Sequence, residues 1–128
     1  MRRRHRTASP YEEEIGFARA IRAGDRILVS GTAPIGPDGK TVAGDAYEQA
    51  KRCFDVIVDS IQALGGSAKD VVRTRMFLVD AADWKAVGRA HGEVFRGVHP
   101  AATLVVMSGL LDPTWRVELE VETLVPPA

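Results

Sequence analysis

The chain has 128 residues, 45% hydrophobic and 27% charged. That balance fits one globular domain and excludes a disordered chain. Lys plus Arg number 17 and Asp plus Glu number 17, a formal net charge of zero, so a strongly basic nucleic-acid binder is excluded as the default. The single cysteine, Cys53, permits neither an internal disulfide nor a cysteine-based zinc site. Apolar stretches are too short to cross a membrane, and none follows the basic N-terminus as in a secretory signal, so a cytoplasmic protein is expected.

In chain order, Arg2, Arg3, Arg4, His5 and Arg6 form a basic run without an apolar partner. It reads as part of a flexible tail over residues 1–10, ahead of a single domain over 11–128. Residues 17–21 and 26–30 are short alternating runs separated by Ala23, Gly24 and Asp25, a β-hairpin pattern. Residues 33–44 carry two prolines and three glycines and read as a loop. Asp45 with Glu48 three residues on has capping-box spacing. Ala50, Cys53, Phe54, Ile57, Ile61 and Leu64 then form one helical stripe, stopped by Gly65 and Gly66. Cys53 lies on that stripe and reads as a core residue rather than a nucleophile.

Residues 71–79 read as a strand, with Val72, Thr74, Met76 and Leu78 on one face and Arg73, Arg75, Phe77 and Val79 on the other. A second helix begins near Asp80. Trp84, Val87, His91, Val94 and Phe95 share its face, Trp84 reading as a core anchor, and Gly97 ends it. Residues 103–107 form a nearly continuous apolar strand, and 117–125 alternate as a final one. The predicted order is β-β-α-β-α-β-β, an α+β fold with both helices on one sheet face.

Two strands are apolar on both faces: Ile27, Leu28 and Val29, and Leu104 to Met107. Either another copy of the chain covers them, giving a homo-oligomer, or a loop folds over them. In the last strand Val117, Leu119 and Val121 point one way and Glu118, Glu120 and Glu122 the other. The helix-free face thus mixes carboxylates and guanidiniums with apolar groups. Buried between subunits, these charges must be paired; otherwise they form a solvated ladder of weak pairs.

Several segments together resemble the Rid/YjgF family of reactive intermediate deaminases. They are Ile15-Gly16-Phe17, residues 26–31, residues 70–80, His99-Pro100-Ala101-Ala102-Thr103 and Val117-Glu118-Leu119-Glu120. They match in order and spacing from about residue 15 to 125. The resemblance implies a chorismate-mutase-like fold and a homotrimer whose sheets close a central barrel, with small-molecule clefts between subunits. It implies cofactor-free, metal-free hydrolysis of enamines and imines, in which an Arg clamps the substrate carboxylate and a Glu positions the attacking water.

Carried over by position, Ser30 matches a cleft serine, and Glu118 the water-positioning glutamate, with Glu120 as the neighbour to consider. Phe17 stands where the family has an aromatic, usually Tyr. Thr103 follows the clamp position, where the family has Pro-Ala-Arg and this chain has Pro100-Ala101-Ala102. A methyl group cannot hold a carboxylate. Arg75, on the helix-free face, is the foremost substitute; Arg73 shares that face and Arg116 sits next to the final strand; alternatively Arg75 pairs with a glutamate of the last strand.

His91 reads as a core or boundary histidine and His99 as a loop residue. Trp115 is expected to be semi-exposed near the last loop, bordering the cleft. No His, Asp and Glu set has metal-ligand spacing, so no metal is expected. Three functions remain: an imine or enamine hydrolase of altered specificity, a non-catalytic small-molecule binding or sensing trimer, and, weakest, RNA binding or cleavage. Zero net charge and the lack of an aromatic-basic platform speak against a nucleic-acid partner.

Overall fold

The structure, a computed structural model, describes residues 2–127. Among the described residues, six strands form one sheet: β1 (Arg2–His5), β2 (Ala20–Ala23), β3 (Arg26–Thr32), β4 (Val71–Leu78), β5 (Ala101–Val106) and β6 (Val117–Leu124). Their spatial order is β1-β2-β3-β6-β4-β5. Only the β4–β5 pair is parallel. The helices are α1 (Pro10–Ile15), α2 (Ala46–Ala63) and α3 (Trp84–Phe95), with 3-10 turns at Ala68–Asp70 and Ala81–Asp83. The long helix α2 lies on β3 and β6, and α3 packs beside it, so one helical layer covers one sheet face.

Local chemistry explains these elements. The β2–β3 turn passes through Gly24 at φ 63°, a left-handed conformation that favours glycine. Asp45 caps α2 by accepting from the Glu48 amide at 2.9 Å. The apolar stripe of α2 is buried throughout, including Cys53, whose thiol burial pushes strongly away from ionisation. Phe54 meets Phe95 edge-on at 5.6 Å and His91 at 5.8 Å, joining the two helices. His91 is half-buried, its Nε2 2.9 Å from Thr74 Oγ1, and burial holds its pKa below the ordinary value.

Four expectations change. Residues 2–5 are an edge strand rather than a tail: β1 pairs with β2, and Arg3 donates to the Leu64 carbonyl at the end of α2. The Ser9-Pro10 pair opens α1 with proline in its first turn, a start signal legible in the sequence. Between Val71 and Arg73 the β4 register shifts by one residue. That bulge turns Val71 inward and leaves Val72 43% exposed. Trp84 is 56% exposed: as the first residue of α3 it stands ahead of the core, which starts at Val87.

The alternation of β6 holds. Val117, Leu119 and Val121 are buried under the helices, and Glu118, Glu120 and Glu122 lie on the helix-free face. On that face Arg75 stands opposite Glu120 and lies 3.4 Å from it and 3.1 Å from Glu122. Leu28 is exposed on the same face. The register pairs Leu104 with Met76 and Val106 with Leu78, so these two side chains belong to the helix side. They are exposed because β5 is the sheet's edge.

Truncating Phe54 to Ala is expected to lower unfolding free energy by about 3–5 kcal/mol in urea denaturation. Trp84→Ala is expected to change it by less than about 1 kcal/mol. Comparable losses from the two would contradict this core.

Candidate functional site

At the C-terminal end of β3 the pairing with β6 slips between Val29 and Thr32. This bulge turns both Val29 and Thr32 to the core and leaves Ser30 and Gly31 between them. Ser30 donates its hydroxyl to the Ala18 carbonyl at 2.7 Å and its amide to the Arg19 carbonyl at 2.9 Å. Gly31 has a steric reason: a Cβ there would lie 2.8 Å from Glu118 Oε2. Its missing side chain is the space that the Glu118 carboxylate occupies.

These residues open on a cavity of about 630 Å³ between the bulge, α1, α2 and the loop before β6. Phe17, Ser30 and Glu118 all line it. Arg75, Ala102 and Thr103 do not. Arg75 is committed to Glu120 and Glu122, and Thr103 accepts from Arg73 Nη1 at 3.2 Å. Ala102 lies exposed on the edge strand β5, in register with Thr74. Arg116 pairs with Asp83 at 3.0 Å. Trp115 borders the cavity but is buried, edge-on to Tyr11 at 5.7 Å, with its indole N–H donating to Thr41 Oγ1.

Two arginines of the cavity escaped the sequence reading. Arg19 is 6% exposed and lies 3.9 Å from the buried Glu12 carboxylate. Its Nη2 donates to the Gly31 carbonyl, and its guanidinium carbon lies 5.3 Å from the centre of the Phe17 ring. Glu12 is held in turn by the amide and hydroxyl of Thr7. The second, Arg52, comes from α2 and donates through Nε to the Ile35 carbonyl at 2.7 Å. Arg19 stands two residues after Phe17, the one spacing signal the sequence offered; Arg52 stands one turn before Val56, which only the structure places at the cavity.

Burial pushes the Glu118 carboxyl above the ordinary glutamate pKa. Arg19 opposes the shift and Glu120 adds to it. A carboxylate with this bias, beside a serine hydroxyl and an aromatic wall, can hold and orient a water or accept its proton. Among the described residues, no group of three or more His, Cys, Asp and Glu is placed to hold a metal.

The α+β architecture, one mixed sheet with its helices on one face, is the chorismate-mutase-like fold. The family model described as "Endoribonuclease L-PSP" matches residues 7–125. The chain belongs to this family, which is also the YjgF or Rid family. It is 45% identical over 120 residues to an uncharacterized protein of Streptomyces coelicolor, covering 94% of this chain and 90% of that one. It is 32% identical over 104 residues to the 3-aminoacrylate deaminase RutC of Acinetobacter baylyi, covering 80% and 82%. Among solved structures, a YjgF/YER057c/UK114 family member from Mycobacterium tuberculosis superposes with a TM-score of 0.89 at 29% identity, covering 98% of this chain and all of that one.

The sign of the Glu118 shift fixes a pH dependence. The folded state holds this proton more tightly than the unfolded chain does. The favourable contribution is therefore complete below the ordinary glutamate pKa and is lost as pH rises through the folded value. Glu118→Gln is expected to melt above the wild type near pH 7 and to converge with it in acid. Thermal denaturation across pH checks this, and a lower melting point for the variant near neutrality would contradict it.

Proposed function

We propose that this chain is a cofactor-free hydrolase of imines or enamines, acting in the cavity at the β3 bulge. Glu118 positions and activates the water, and Ser30 and Phe17 orient the ligand. The observation that carries the reading is the Glu118 carboxylate, half-buried in an otherwise largely apolar pocket, in the space left by Gly31. Water held there attacks the imine carbon, and the tetrahedral carbinolamine then expels ammonia to leave a carbonyl product. Relatives include a protein named as a 3-aminoacrylate deaminase, a substrate of the enamine class.

The reading includes a homotrimer, joined over the helix-free face and along β5. Leu28, Leu104, Val106 and Met107 expose 38–56% of their surface there. The Arg75 cluster with Glu120 and Glu122 keeps its charges paired if partner subunits cover that face. The β5 edge offers free backbone groups to a neighbour.

Ala102 favours a second reading, a trimer that binds small molecules without turnover. Ammonia release from freshly generated 2-imino acids separates the two. The hydrolase reading expects a rate above the protein-free control, reduced about 100-fold or more in Glu118→Gln. Ligand-dependent thermal stabilisation with no rate above the control supports the binding reading and overturns hydrolysis.

A further inference from the structure

We propose that Arg52 is the anion seat of this cleft, and that its ligands are carboxylates with a branched or aromatic apolar body. This inference rests on the cavity being the ligand site. It moves the clamp from β5 to α2, so that each protomer supplies its own.

The first support is charge. Arg19, Arg52 and Glu118 are the charged side chains that line the cavity. Arg19 already faces Glu12 and spends an N–H on the Gly31 carbonyl. Arg52 has no carboxylate within 4.0 Å among the described residues. One of its five N–H donors is used, and that bond, from Nε to the Ile35 carbonyl, fixes the side chain in place. A pre-positioned guanidinium with free terminal nitrogens suits a carboxylate fork. Arg75 and Arg116 are neutralised elsewhere, and Ala102 offers no charge.

The second support is the lining. Ile15, Phe17, Val56, Leu111 and Trp115 form apolar wall, and Ile15 and Leu111 remain 62% and 72% exposed. A volume of about 630 Å³ far exceeds what a two- or three-carbon acid fills. Arg52 and Val56 lie one turn apart on α2, so one helix face presents charge and then apolar wall.

Chemical-shift titration of the full chain tests this with α-ketoisocaproate, its neutral counterpart methyl isobutyl ketone, and pyruvate. Expected are shifts at Phe17, Ser30 and Glu118, with the keto acid binding about tenfold or more tighter than the ketone. Arg52→Gln is expected to abolish that preference while leaving ketone affinity within about twofold, and Arg52→Lys to restore part of it. Pyruvate, lacking the apolar body, is expected to bind about tenfold weaker than the longer acid. Shifts at these residues with the acid preference intact in Arg52→Gln overturn the seat and leave the site standing. Equal affinity for pyruvate overturns the apolar body. No shifts at these residues with any probe overturn the site itself.

Discussion

The alternation of β6 governs this molecule. The strand lies inside the sheet, between β3 and β4, so neither of its faces can be ignored. Val117, Leu119 and Val121 are buried beneath α2 and α3 and anchor the core. A period of two then forces Glu118, Glu120 and Glu122 onto the opposite face. Three carboxylates side by side repel one another and need cations. Arg75 on the neighbouring β4 serves two of them, and Arg26 on β3 reaches Glu122 as well.

Glu118 is the member of that row left without an ion-pair partner within 4.0 Å among the described residues. Its position at the β3 bulge explains this. The slip in register brings Gly31 against its carboxylate, and the chain before β3 closes over it with Phe17 and Arg19. Burial then sets its proton affinity. The same pattern that builds the core therefore leaves one carboxylate in a pocket, available to water and ligand.

Much of this was legible in the sequence. The hairpin, the capped α2, the strand β4 and the two-sided β6 each follow a local rule, and long-range packing agrees with those rules. The departures lie where pairing partners decide. Arg2 to His5 have little to bury, yet they gain a strand partner in β2 and a carbonyl at the end of α2. The bulges at Val72 and Ser30 depend on register across strands far apart in sequence. Phe17, Ser30 and Glu118, distant in sequence, line one cavity. Arg19 and Arg52 were missed because a lone arginine reads as solvated until a cavity is seen beside it.

The helix-free face is the remaining constraint. It carries Leu28 beside the Arg75–Glu120–Glu122 cluster, and the adjoining edge strand adds Leu104, Val106 and Met107. In the proposed homotrimer, copies of the chain close over that face. Light scattering on the purified protein at micromolar concentration tests the point most directly. Three times the chain mass of 13.9 kDa is the result this account requires, and a monodisperse particle of one chain mass would contradict it.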